Sequence, residues 1–323
     1  MRKQQDKMSD SRPDMPKSST NKVSPTSALP YLLMLVPGLV WAGNAIVARA
    51  VAGGVPPIGL AFWRWAIASL VVLPFAWPHV RRDARNILNH WPIMLLLSAL
   101  GISFFNTALY ISAHTTTALN IVMLQVSAPV LVVLASYLLF RDTITGAQAV
   151  GIALSLLGAL TLVTHGDPDV LLGLQFNAGD LWMLAACALY ALYTALLRLR
   201  PNVHALSFLF ASFVIGTVQL LPFYIGETLS GDPMPFTWNA LLAVAYVSVF
   251  ASAIGYFAFN MSVEYLGANT AGLSIYLTPV FGTVLAVLLL GERPQLYHAV
   301  GIALIAAGIV LAARRRALGR NRA

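Results

Sequence analysis

The feature that most limits what this chain can fold into is a series of ten apolar stretches, each about 20 residues long. Short breaks rich in glycine, proline and charge separate them, so the pattern predicts ten membrane-spanning helices. The stretches cover residues 29–52, 57–77, 91–113, 118–140, 146–163, 179–199, 206–225, 238–261, 268–290 and 296–313. Only 10% of the 323 residues are charged, which is too few to cover a surface in water. We therefore predict an all-α integral membrane protein surrounded by the lipid bilayer.

The same composition excludes several other classes of protein. A single cysteine, Cys187, rules out a secreted disulfide scaffold. The net charge of +8 sits mainly in the ends of the chain and in short loops, so it reflects membrane topology and does not indicate a nucleic-acid partner.

Lysine and arginine predict the orientation, because they accumulate in the short loops on the cytoplasmic side of a membrane. With both termini inside, 17 of the 20 basic residues fall on the cytoplasmic side. We expect residues 1–28 to be a disordered cytoplasmic tail and residues 314–323 to be a basic cytoplasmic tail.

An internal sequence repeat divides the ten apolar stretches into two corresponding groups. Residues 149–154 read AVGIAL, and so do residues 299–304, 150 positions later. The same offset pairs Pro129 with Pro279. The chain therefore divides into two five-helix repeats, residues 29–165 and 178–313. Because five is odd, the second repeat enters the membrane from the opposite side, as in many secondary transporters, where the substrate lies between the repeats. The alternative is a duplication that only builds a stable bundle.

Specific motifs add a family resemblance. The first stretch contains WAGNAIVARA at residues 41–50 and the second contains FWRWAIA at residues 62–68. Both repeats also contain a proline, an acidic residue and a glycine in the same order. These are Pro129, Asp142 and Gly151 in the first repeat and Pro279, Glu292 and Gly301 in the second. With these motifs the chain resembles the EamA-type, ten-helix branch of the drug/metabolite transporter superfamily, which more often has glutamate at the position of Asp142. The resemblance implies export or exchange of a small metabolite, such as an amino acid, across a bacterial inner membrane. It also implies a central cavity lined by helices 1 to 4 and 6 to 9.

Polar and aromatic residues within the apolar stretches are the candidate substrate contacts, because such side chains usually face the interior of a bundle. Those that share one helix face, or match across the repeat, predict one cavity between helices 1, 3, 6 and 8, with 4 and 9 added on weaker grounds. The candidates are Trp41, Asn44, Arg64, Asn106, Tyr110, Gln125, Tyr190, Tyr193, Tyr256, Asn260 and Tyr276. For any one of them, hydrogen bonding between helices is an equally good interpretation.

Arg64 differs from the other candidates because its repeat partner is the apolar Val214. A permanently charged guanidinium inside an apolar stretch is suited to bind a carboxylate. The alternative is that the side chain extends to the outer membrane interface. Pro129 and Pro279 are candidate hinges, since a proline within a helix frees a carbonyl and kinks the helix.

Two features of the sequence bear on the energy source of the transport that this resemblance implies. The sequence has no phosphate-binding GxxxxGK[ST] loop. Every acidic residue after the first tail maps to a loop or a helix end, which favours facilitated efflux or exchange over proton antiport through a buried carboxylate. We predict no catalytic residue, cofactor or metal site. The alternatives are a membrane-embedded enzyme, such as a prenyl or acyl transferase, and a channel. The sequence leaves a homodimer open.

Overall fold

A computed structural model describes residues 28–173, 177–290 and 295–314. All regular structure in these residues is helical. The first half contains α1 (Leu29–Val51), α2 (Pro57–Asn89), α3 (Trp91–Ser98), α4 (Phe104–Thr115), α5 (Ala118–Gln125), α6 (Ala128–Phe140), α7 (Gly146–Val163) and the short α8 (Asp169–Leu172). The second half contains α9 (Ala178–Leu196), α10 (Ala205–Leu229), α11 (Trp238–Tyr246), α12 (Gly255–Leu266), α13 (Ala268–Ala271), α14 (Leu277–Leu290) and α15 (Leu296–Arg314).

Eight helical segments in the described part of the chain are long and apolar enough to cross a membrane, and they match the first eight predicted stretches. The ninth stretch is divided between α13, a 3₁₀ segment and α14, and the apolar part of α15 is shorter, Leu296–Ala312. Large apolar side chains such as Leu70, Leu138 and Val218 are more than 60% exposed, as expected of a surface in contact with lipid. The predicted tails lie outside the described residues, apart from Ala28 and Arg314.

Four of the predicted stretches are interrupted within their length, and the sixth ends in a 3₁₀ segment, Leu197–Leu199. Residues Ala99–Ser103 form a π-helix between α3 and α4, and Val247–Ile254 form one between α11 and α12. The fourth stretch is interrupted at residues 126–127, directly before Pro129 begins to constrain α6. The ninth contains the 3₁₀ segment Gly272–Tyr276, which ends three residues before Pro279. The interruptions therefore lie on the N-terminal side of both prolines, where a missing N–H and the proline ring weaken the helix.

Two of the helix pairs that join the two halves run antiparallel. In the pair α7 and α15, a Cβ atom added to Gly151 would lie 2.6 Å from the carbonyl oxygen of Gly308, and one added to Gly158 would lie 2.6 Å from that of Gly301. The numbering of one helix rises as the other falls, so the two helices cross in opposite directions. Only glycine allows backbones to approach this closely.

The pair α2 and α10 shows the same antiparallel arrangement. Near one end, the carboxylate of Glu227 accepts hydrogen bonds from the backbone N–H groups of Ile58 (3.1 Å) and Gly59 (2.6 Å). Near the other end, Asp83 Oδ2 accepts one from the N–H of His204 (2.9 Å). The start of α2 therefore lies beside the end of α10, and the end of α2 lies beside its start.

Candidate functional site

Seven of the eleven candidate residues line one small cavity in the middle of the bundle. They are Trp41, Asn44, Arg64, Asn106, Gln125, Tyr190 and Tyr256. The cavity also touches five residues that the sequence did not single out, which are Phe105, Leu109, Ala128, Cys187 and Ile275. Each of the five directly precedes a candidate or lies three residues, about one helical turn, from one, which is the signal that could have found them.

The other four candidates lie outside this lining. Tyr110 is adjacent to it, because its hydroxyl accepts a hydrogen bond from Arg64. Tyr193 donates a hydrogen bond to Asn260 Oδ1 (2.8 Å), and both are buried behind the cavity wall. Tyr276 is buried in a separate apolar cluster with residues such as Met34 and Ile305. The ring of Tyr276 therefore belongs to the packing beside the cavity.

Arg64 lies inside the bundle and does not extend to the interface, since its side chain is only 1% exposed. Its Nε donates to Ser252 Oγ (2.6 Å), and its Nη1 donates to Tyr110 Oη (2.7 Å) and to Asn44 Oδ1 (3.1 Å). The guanidinium carbon lies 4.7 Å from the ring centroid of Trp65. The guanidinium of Arg64 is thus held by contacts with α1, α4 and the π-helix, and by a ring of its own helix, α2.

No acidic side chain neutralises that cation among the residues that the structure describes. The ion pairs found there are Arg198–Asp142 and Arg200–Glu264, both away from Arg64. The hydrogen bonds of Arg64 use Nε and Nη1, which leaves both N–H groups of Nη2 without a partner in the described part of the chain. A buried charge is costly unless it is paired, so this arrangement is suited to an anion that comes from outside the protein.

Residues that correspond in the two repeats meet at this cavity. Asn106 Nδ2 donates to Tyr256 Oη (3.2 Å), and these residues are 150 positions apart. The rings of Trp41 and Tyr190, which the repeat also pairs, form a T-shaped contact with centroids 5.8 Å apart. Contacts between repeat partners place the cavity where the two halves face each other.

Two buried polar atoms of the lining have no hydrogen-bond partner in the described structure. They are Asn106 Oδ1, which accepts, and the hydroxyl of Tyr190, which can donate or accept. Aromatic rings of Trp41, Phe105 and Tyr256 surround them. A buried polar atom without a partner is expensive, so such atoms beside a cavity mark positions for a ligand or a water molecule.

The cavity is closed in this conformation. Its volume is about 20 Å³, which is enough for about one water molecule. A larger open vestibule of about 1330 Å³ lies at the end of the bundle where α6 and α12 end and α10 begins. A small organic molecule therefore needs a movement of the walls to enter the central cavity.

At the opposite end of the bundle lies Asp180, which is buried and only 1% exposed. Its carboxylate accepts hydrogen bonds from Thr116 Oγ1 (2.6 Å), Asn120 Nδ2 (3.1 Å) and the N–H of Asn177 (2.8 Å). Thr194, which lines the vestibule, lies about 21 Å further along the same helix. The sequence places Asp180 correctly at a helix end but does not indicate that it is buried. Asn177 and Asp180 have the spacing of a capping box, which indicates where the helix begins.

We expect Asp180→Ala to lower the free energy of unfolding by about 2 kcal/mol, because the buried hydroxyl of Thr116 would lose its acceptor and the N–H of Asn177 would lose the carboxylate that caps it. The measurement is thermal unfolding of the purified protein in detergent. Asp169→Ala is the control, since Asp169 is exposed at the start of the short helix α8. Equal unfolding temperatures for the two variants would contradict the assignment.

A histidine pair at the vestibule predicts sensitivity to acid. The rings of His79 and His204 stack with centroids 3.6 Å apart, and burial together with the His79 ring lowers the pKa of His204 below its ordinary value. The folded protein thus favours neutral His204, whose contribution to stability is full above about pH 6.5 and declines as the pH falls below that value. We expect the unfolding temperature to fall more between pH 7.5 and 5.5 in the wild type than in His204→Asn. Asparagine does not titrate and can replace the Nδ1 atom of His204 that caps α10. Parallel pH profiles would be evidence against this effect.

The fold and the site together define a multi-pass membrane protein with a cavity between two related halves, lined by aromatic and aliphatic side chains and a few polar groups such as Arg64 and Asn106. Comparison with known proteins agrees with this class. The model of the EamA-like transporter family matches residues 28–164 and again residues 177–314. The chain belongs to the EamA-like transporter family, of which it contains two copies of the domain.

Relatives with curated names are also transporters. An uncharacterized transporter of Archaeoglobus fulgidus is 26% identical over 287 residues, which are 87% of this chain and 96% of the relative. A probable terminal-alkyne amino-acid exporter of Streptantibioticus cattleyicolor is 28% identical over 286 residues, covering 88% and 93% of the two chains. A solved crystal structure superposes with a TM-score of 0.70 at 21% identity and covers 89% of this chain and 98% of its own, which supports the fold.

Proposed function

We propose that this protein is a secondary transporter that exports or exchanges a small carboxylate-bearing metabolite, an amino acid or a related compound, across the bacterial inner membrane. One observation carries the proposal. Arg64 is 1% exposed and beside the central cavity, and the described residues supply no acidic partner for it. The cargo carboxylate would be that partner, held by the free N–H groups of Nη2 in a charge-assisted hydrogen bond.

The rest of the lining fits the remainder of such a cargo. Asn106 Oδ1 and the Tyr190 hydroxyl are free to bind an amino or hydroxyl group, and the faces of Trp41 and Tyr256 attract a cation. The name of the Streptantibioticus cattleyicolor relative, a probable exporter of an amino acid, supports this class of cargo. Trp41, Asn44, Asn106, Tyr110, Gln125, Tyr190 and Tyr256 are the contacts we propose beside Arg64. Tyr193 and Asn260 would support the wall from behind.

Alternating access is the mechanism that this arrangement supports best. We infer that ten helices form two inverted repeats, with the site between them and both termini in the cytoplasm. The antiparallel contacts of α7 with α15 and of α2 with α10 support the inversion. The conformation would be closed towards the periplasm at Asp180 and open towards the cytoplasm at the vestibule. Pro129 and Pro279, each beside an interrupted helix, are the proposed hinges.

Counterflow in proteoliposomes tests the proposal. Vesicles are loaded with one unlabelled L-amino acid at a time, and uptake of the same labelled compound is followed against empty vesicles. A carrier gives saturable uptake that internal cargo accelerates, whereas a channel gives uptake that internal cargo does not accelerate. Absence of counterflow for all twenty common amino acids and for simple carboxylates such as benzoate would contradict the proposed class of cargo.

A further inference from the structure

The two π-helical segments occupy matching places in the repeats. The 150-residue offset sets residues 99–103 against 249–253, which lie within the second segment. π-Helices are rare and occur most often at functional sites. Each segment contains a serine that reaches the carbonyl group five residues earlier: Ser103 is the last residue of the first segment, and Ser252 lies two residues before the end of the second. The distances are 3.4 Å from Ser103 Oγ to Ser98 O and 2.8 Å from Ser252 Oγ to Val247 O.

The two serines differ in their second partner. Ser103 Oγ lies 2.7 Å from Gln219 Oε1, an uncharged group on α10. Ser252 Oγ accepts the hydrogen bond of Arg64 Nε at 2.6 Å. Because the single proton of Ser252 is directed to Val247 O, its lone pairs face the guanidinium. The second repeat therefore uses its π-helix to hold the buried arginine, and the first repeat does not.

This bond determines which edge of the guanidinium is free. A guanidinium is planar and presents its N–H groups in a fixed fork. With Nε held by Ser252 and Nη1 held by Asn44 and Tyr110, Nη2 is the nitrogen whose N–H groups have no partner in the described residues. Loss of the Nε contact would let the planar group turn about the long side chain and would leave Nη2 without a fixed direction.

We propose that Ser252 is a positioning residue for Arg64, which orients Nη2 towards the cargo carboxylate and connects the binding site to the π-helix between α11 and α12. This inference rests on the proposed role of Arg64 as the carboxylate receptor. Ser252 itself does not line the cavity, so it acts through the arginine.

Protection of Cys187 provides a direct test. This residue is the single cysteine of the chain and lines the cavity, so alkylation by N-ethylmaleimide reports on the site without a background of other thiols. Benzoate is the carboxylate probe, and benzamide is its uncharged isostere. In the wild type, benzoate should slow the alkylation of Cys187 at concentrations at which benzamide has no effect.

The serine variants separate positioning from a purely structural role. We expect Ser252→Ala to raise the half-protecting concentration of benzoate by about tenfold, as the loss of one hydrogen bond to a charged group predicts. Ser252→Thr keeps a hydroxyl, so benzoate should protect Cys187 in this variant as it does in the wild type. Ser103→Ala removes the serine of the other π-helix, which makes no contact with Arg64, and should leave protection by benzoate unchanged.

Each outcome decides a different claim. Equal effects of Ser252→Ala and Ser103→Ala, or no effect of Ser252→Ala, would overturn the positioning role. If benzoate no longer protects Cys187 in Arg64→Ala in that case, the proposed function is unaffected. Equal protection by benzoate and benzamide in the wild type would overturn the carboxylate site, and the positioning role with it.

Discussion

Replacement of Arg64 by alanine is expected to lower the rate of transport at least about a hundredfold while the protein still inserts into the membrane. Removing one partner of a buried, hydrogen-bonded charge pair costs about 2–5 kcal/mol, and about 2.7 kcal/mol corresponds to a hundredfold change. The effect should fall on cargo binding, because the described residues give Arg64 no acidic partner within the protein to lose. The measurement is counterflow in proteoliposomes, normalised to the amount of inserted protein.

Arg49→Ala is the matched control for this experiment. Arg49 lies at the end of α1, and its Nη1 donates to the backbone carbonyl of Ala113 (2.9 Å). It carries the same charge at the surface end of a helix, so we expect transport to stay within about twofold of the wild type. Arg64→Lys retains the charge but not the fork of donors, and should give an intermediate rate. Unchanged transport by Arg64→Ala at normal expression would remove this residue from the site.

Replacement of Gly158 by valine is expected to have the largest effect on stability. A Cβ atom at this position would lie 2.6 Å from the carbonyl oxygen of Gly301 and 2.8 Å from the Cβ of Leu304. A backbone oxygen cannot move aside without separating α7 from α15, so the cost should reach about 3 kcal/mol. We expect this to lower the unfolding temperature in detergent by about 5 °C or more.

Gly282→Val controls for the intrinsic cost of valine in a helix. Gly282 lies in α14, and a Cβ atom there would have no other atom within 4 Å. Both variants lose the same residue and gain the same side chain, so their difference isolates the contact between helices. If both unfold at the same temperature, the close approach of α7 and α15 does not stabilise the protein.

Repeat symmetry and helix periodicity predicted much of the candidate site. The spacing of Asn106 and Tyr110 placed both on one face of the third predicted helix, and the structure has that face inside the bundle. The offset that pairs Trp41 with Tyr190 also predicted neighbours, since their rings are in contact. The offset sets Gln125 against Ile275, and both line the cavity; Tyr276, one residue further along, packs in a different cluster because adjacent residues of a helix face different directions.

Other features had no local signal. The partners of Arg64 come from three separate helical segments, and Ser252 is 188 residues away in the chain. The π-helices depend on side chains that satisfy displaced carbonyl groups, so hydropathy cannot distinguish them from the α-helices around them. The burial of Asp180 depends on Thr116 and Asn120, which reach it from the other repeat.

By itself the sequence determined that this chain lies in lipid, that it is built from two related halves, and that one cation lies within an apolar stretch. Those properties depend on composition and on periods along the chain, which are local and survive without any tertiary contact. Only the tertiary structure decided that Arg64 turns into the bundle and has one nitrogen free. Tertiary contacts also bury the carboxylate of Asp180 at one end of the bundle. Both depend on hydrogen bonds between atoms far apart in sequence, whose partners are fixed only when the helices pack.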